Sequence, residues 1–154
     1  SSAERRAAAA AHVVTMIDEC AAKGFQAVEF DNLDSYTRFP ELGFVVPEAI
    51  EYAAALVAHA HSRGLAAGQK NAVEIAAQAR SSAGFDFVVA EECGAYDECD
   101  GYVAVYGDAV LAIEYTEEGF AAACATLHPR SSVIFRDVNL VLPDDPAYRR
   151  RVCP

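Results

Sequence analysis

Strand-like and helix-like segments alternate five times along this chain, and no Asn-Gly dipeptide marks a tight hairpin between them. That alternation limits the fold more than any other feature, because parallel strands need helical crossovers. The first helix is predicted over about Ala3 to Lys23, where Val13, Ile17, Cys20 and Gly24 recur at steps of three and four, and Gly24 is the stop signal. "FQAVEFDN" follows as a strand ending in acid. Pro47 suits the first turn of a second helix that places Ile50, Ala53, Ala54, Val57 and His61 on one side and stops at Gly64. "LAAGQKN" is the second strand. Asn71 and Glu74 read as an N-cap and its reciprocal partner, opening a third helix to about Arg80. "FDFVVAEE" is the third strand, with a short helix from Gly101 to Tyr106 after it. "AVLAIEYT" is the fourth strand, Thr116 caps a helix carrying Phe120, Cys124 and Leu127, and "SVIFRDVNL" is the fifth strand. The tail, with "LPDDP" and "YRRR", reads as loop or a closing turn.

Units recur every 20 to 40 residues, the spacing of a (β/α)₈ TIM barrel, yet 154 residues hold only about five of its eight units. A five-stranded doubly wound sheet also fits the length, but neither GxGxxG nor GxxxxGK[ST] occurs in the chain. The length is that of a single domain, residues 1–154, and 53% hydrophobic residues supply its core.

A net charge of −11 repels phosphate backbones and anionic lipid, so the chain is expected to bind neither nucleic acid nor membrane. A neutral or cationic partner fits better. No apolar run reaches membrane-spanning length, and the Ala-rich N-terminal segment has no signal-peptide core. Five cysteines, none in a CxxC spacing, suggest an exported protein. Cys93 and Cys99 bracket one short loop and Cys124 and Cys153 bracket the last segment, giving two candidate disulfides and leaving Cys20 over.

Each predicted strand ends in polar residues: Asp31 and Asn32, Lys70 and Asn71, Glu91 and Glu92, Glu114, then Arg136, Asp137 and Asn139. In a parallel barrel these ends share the face on which catalysis occurs. Glu29 can pair with Arg136 or Lys70, and Asp86 can be satisfied by backbone N–H groups. The four histidines lie on helices or before Pro129, which argues against a metal centre or a Ser–His–Asp triad. No cofactor is expected. Paired carboxylates are what glycoside hydrolysis needs, one donating a proton to the leaving oxygen while the other attacks the sugar or activates water. Lys70 at a strand end also admits a Schiff-base, aldolase-type reading.

The segments "GFQAVEFDNLDSY" (24–36), "GLAAGQKNA" (64–72), "FDFVVAEECGAYDECDGY" (85–102), "VLAIEYT" (110–116) and "VIFRDVNL" (133–140) together resemble the endo-α-1,4-polygalactosaminidases, glycoside hydrolase family 114. The family's pattern is close to V-E-P-D-N-V-D-G-Y, G-L-x-x-G-x-K-N and N-E-x-C with a second cysteine six positions on. The resemblance implies a (β/α)₈ barrel of which this chain covers strands four to eight, a fragment lacking strands one to three. It implies secretion and a galactosamine-containing polysaccharide as substrate. It assigns Asp31 as nucleophile or base and Glu91 as general acid, with Glu92 the alternative one position on. It places Asn32, Asp34, Tyr36, Lys70, Asn71, Glu92 and Glu114 around the substrate. Phe30, Ser35 and Ala90 stand where the family has proline, glycine and asparagine, which keeps open a non-catalytic glycan-binding relative.

Overall fold

The computed structural model describes residues 3–154, which divide between Phe87 and Val88 into two compact units. In the first unit, α1 (Ala3–Ala22) buries only Ile17 of its predicted stripe. Ion pairs complete its attachment to α3 (Val46–Ser62) and the residue that follows it: Arg6 meets Glu48 at 3.0 Å and Glu51 at 2.6 Å, while Asp18 meets His59 at 2.8 Å and Arg63, just past the helix, at 3.0 Å. Gly24 ends the helix in the left-handed conformation, with φ 84°. The buried face of α3 is Ala49, Ile50, Ala53, Leu56, Val57 and Ala60. Ala54 is only half-buried and His61 is exposed, so the core stripe runs slightly to one side of the predicted one. His61 instead bonds Asp86 at 2.8 Å, and the same Asp86 oxygen accepts the Ala67 N–H at 2.8 Å.

This helix links β1 (Ala27–Phe30) to β2 (Ala66–Lys70), which run parallel with Ala27 opposite Ala66 and Phe30 opposite Gln69. Between them lie α2 (Ser35–Arg38) and a 3₁₀ turn at Pro40–Leu42. The segment after β2 departs from expectation. Asn71 and Ala72 are both left-handed, at φ 50° and 61°, and Ala72 rather than Asn71 stands at the helix start. An N-cap side chain reaches its target from an extended backbone, so the predicted capping box cannot form. The chain passes instead through a 3₁₀ turn at Val73–Ile75, α4 (Ala76–Gln78) and a π turn at Ala79–Ala83.

β3 (Phe87–Glu91) leads into the second unit, where it runs parallel to β4 (Val110–Glu114), itself parallel to β5 (Ser132–Arg136). The crossovers are α5 (Cys99–Tyr106), which buries Tyr102 and Tyr106, and α6 (Glu117–Leu127). Thr116 caps α6 as predicted, its hydroxyl accepting from Gly119 N–H at 3.1 Å. The tail is more than a turn. β6 (Arg150–Val152) pairs antiparallel with β5, Arg150 opposite Arg136 and Val152 opposite Ile134. Its run of arginines carries no strand alternation, and the strand is fixed by neighbours instead. Arg151 lies over the rings of Phe135 (4.7 Å) and Phe120 (5.1 Å) and pairs with Glu117, and Cys153 is bonded to Cys124. Among the described residues no helix is long and apolar enough to cross a membrane.

Candidate active-site residues

In the first unit, parallel pairing brings the ends of β1 and β2 side by side. Lys70 Nζ lies 3.3 Å from Glu29 Oε1 and 3.9 Å from Asp31 Oδ1. The lysine is mostly buried, its side chain 12% exposed, whereas that of Asp31 is 58% exposed. Of the two partners open to Glu29 in the sequence, the structure gives it Lys70. Asp31 Oδ1 also accepts the N–H of Asn32 at 2.8 Å. Asn32 stands in the left-handed region at φ 59°, which asparagine tolerates better than most residues. Arg38, which the sequence did not single out, donates to Asn32 Oδ1 at 2.6 Å and pairs with Asp34 at 3.3 Å. Tyr36 donates to Glu74 at 2.9 Å. Its hydroxyl is held well above the usual tyrosine range by burial, then by Glu74 as acceptor and charge and by Asp34, so it remains a donor. Asn71 enters through its carbonyl oxygen, which accepts from the buried Gln69 amide at 2.5 Å. A cavity of about 530 Å³ takes in Glu29, Asp31 and Asn32 alongside Arg6, Phe44 and Tyr52.

In the second unit the strand ends gather around Glu91. Tyr115, directly after β4, donates its hydroxyl to Glu91 Oε1. Arg136, the last residue of β5, lies 2.9 Å from the Tyr115 hydroxyl and 3.5 Å from Glu91 Oε1, with its guanidinium 4.9 Å from the Tyr115 ring centre. Burial raises the Tyr115 hydroxyl far above the tyrosine norm, and the adjacent Glu91 raises it further, so Tyr115 acts on Glu91 as a neutral donor. Glu92 is left-handed at φ 61°. Strained non-glycine backbone thus follows β1, β2 and β3 alike, the kind of strain that gathers at functional sites. Tyr115 follows Glu114 at the end of β4, where a tyrosine reads equally well as a packing residue, so the sequence does not single it out.

Glu114 is fully buried. Its Oε1 accepts the Gly94 N–H at 2.7 Å, and Oε2 has no hydrogen-bond partner. Burial raises its pKa, against the lowering effect of the Gly94 and Ala95 N–H groups and with a further push from Glu92. Its carboxylate therefore meets the loop after β3 rather than the surface, where a substrate contact was expected. A β-carbon on Gly94 would strike the Gly119 carbonyl, and one on Gly119 would strike Glu114 Oε2, so this loop is seated too closely for side chains there. The Cys93–Cys99 disulfide closes the same loop, and Cys124–Cys153 forms as well. Cys93, Cys99 and Glu114 lie close enough to hold a metal, but the two sulfurs are bonded to each other and supply no thiolate. Cys20 is a free thiol.

Strand-end carboxylates backed by cations fit a hydrolase class, and the sequence comparison gives it a family. Residues 3–153 match the family model for glycoside-hydrolase family GH114, and the chain belongs to that family. Among solved structures it is similar to the crystal structure of Aspergillus fumigatus Ega3 in complex with galactosamine. The TM-score is 0.78 at 25% identity, covering 99% of this chain and 62% of that one. The chain has the parallel α/β fold of that barrel-type structure and spans less than two thirds of its length. No curated protein sequence matches it.

Proposed function

We propose that the chain is a glycosidase cleaving α-1,4-linked galactosamine polymer, with Asp31 and Glu91 as its carboxylates. The observation that carries this reading is the placement of two carboxylates at strand ends, Asp31 directly after β1 and Glu91 closing β3, with the Tyr115 hydroxyl fixing the orientation of Glu91. In the proposed reaction Glu91 gives a proton to the glycosidic oxygen as the bond to the anomeric carbon breaks, and Asp31 attacks that carbon or activates the water that does. Lys70 stands 3.9 Å from Asp31, its positive charge facing the carboxylate. Asn32, Asp34 and Tyr36 complete the strand-end set of the first unit as substrate contacts, and Glu92 adds a carboxylate beside Glu91. Glu114 orders the loop from beneath.

The galactosamine bound in the Ega3 structure supports an amino-sugar substrate, and a chain of net charge −11 suits a polymer bearing ammonium groups. Two disulfides support an oxidising, extracellular location. The aldolase-type reading loses ground, because Lys70 is ion-paired to two carboxylates rather than presented as a free amine. The glycan-binding reading has one observation in its favour: Ala90, beside Glu91, is fully buried and offers no polar side chain. Incubation with deacetylated α-1,4-galactosamine polymer separates the two. Soluble oligosaccharides detected by mass spectrometry support the glycosidase, whereas polymer retained on the folded protein without products supports the binding relative.

A further inference from the structure

The loop after β3 holds an aromatic side chain in water. Tyr96 is 67% exposed, more than Phe25 at 60% or Phe39 at 49%. A lone exposed apolar residue ordinarily needs no explanation. Tyr96 differs in how firmly its backbone is held. The Cys93–Cys99 disulfide closes the loop on either side of it, and Cys93 and Cys99 are both buried. Tyr96 N–H bonds the Glu92 carbonyl at 3.0 Å, and Glu98 N–H bonds the Cys93 carbonyl at 2.8 Å. Gly94 is tied to the buried Glu114 and has no room for a side chain. Asp97, next along, takes a left-handed turn at φ 59°. A loop ordered this thoroughly presents its ring at little further entropic cost, the property that makes tyrosine a favoured contact residue. Tyr96 lies on the loop that leaves β3, five residues after Glu91 and four after Glu92 in sequence.

We propose that Tyr96 is a sugar-stacking platform, binding the apolar face of an amino-sugar ring in the polymer next to Glu91. An aromatic face takes up sugar C–H groups by burial and dispersion, and attracts a nearby ammonium electrostatically. The proposal rests on the substrate class given above and adds the residue that grips it. Calorimetric titration of a short α-1,4-galactosamine oligomer into wild type, Tyr96→Ala and Tyr96→Phe tests it, with thermal midpoints confirming that all three are folded. Tyr96→Ala is expected to weaken binding about 5- to 10-fold, while Tyr96→Phe, which keeps the ring, stays within about twofold of wild type. Equal affinity in wild type and Tyr96→Ala would overturn the platform and leave the proposed substrate standing. Loss in Tyr96→Phe as large as in Tyr96→Ala would overturn stacking in favour of the hydroxyl. Failure of the wild type to bind the oligomer would overturn the substrate reading and the platform with it.

Discussion

Glu114 illustrates how a carboxylate can serve a strand end without reaching the surface. Burial raises its pKa above the ordinary 4.5, and the Gly94 and Ala95 N–H groups only partly offset that. A carboxyl that binds its proton more tightly when folded contributes stability below the unfolded value, and loses it as pH rises through the folded value. The stability of wild type relative to Glu114→Gln, from urea unfolding, should therefore fall as pH is raised from about 4.5, and a difference independent of pH would contradict the burial argument. Tyr115 makes a different demand. Replacing it by phenylalanine removes a donor worth on the order of 1 kcal/mol from Glu91. Cleavage should slow about tenfold in kcat with little change in KM, and an unchanged kcat would remove Tyr115 from the machinery. At this scale the sequence was informative where polarity stood out against an apolar strand. Asp31, Lys70, Glu91 and Arg136 stand out in the sequence because carboxylates and cations at strand ends need a reason. Tyr115 does not, because a tyrosine after "AIE" is equally consistent with packing. The burial of Glu114 was hidden too, since sequence does not reveal which strand-end carboxylate turns inward to meet a loop.

The elements themselves were easier to read than their joints. Glycines and Pro47 marked the ends of α1 and α3, and Thr116 capped α6 as its spacing implied. The helix after β2 differs from the capping box that Asn71 and Glu74 predict, because consecutive left-handed residues at Asn71 and Ala72 give it a 3₁₀ start. β6 escaped notice because long-range partners define it: Phe120, Phe135, Glu117 and Cys124 all lie outside the tail. That dependence is testable. The Cys124–Cys153 bond closes 29 residues of sequence, so replacing both cysteines by serine should cost about 2–4 kcal/mol in urea unfolding. A loss below about 0.5 kcal/mol would show that the arginine contacts hold β6 unaided. The loop after β3 is seated more tightly still. Gly94→Ala places a methyl against the backbone of Gly119 and Ala123, and should destabilise the chain by about 1–3 kcal/mol. Unchanged stability would show that the loop relaxes freely.

For the whole molecule, charge and alternation carried most of the information. Five βα repeats without hairpins pointed to a parallel α/β fold, and GH114 membership with similarity to Ega3 agrees. An excess of eleven negative charges makes a further prediction for a polycationic substrate. Affinity for deacetylated polymer should fall steeply as salt is raised from about 0.01 to 0.15 M, over which the screening length shrinks from about 30 to 8 Å. Salt-independent binding would locate recognition in the sugar rings alone. The central claim is that Asp31 and Glu91 carry out the cleavage. The most direct test is the rate at which wild type, Asp31→Asn and Glu91→Gln release oligosaccharides from that polymer, with near-UV circular dichroism showing each protein folded. Both substitutions should lower the rate by about 100-fold or more, the scale of losing a general acid, base or nucleophile. Cleavage by either folded variant at the wild-type rate would contradict the assignment.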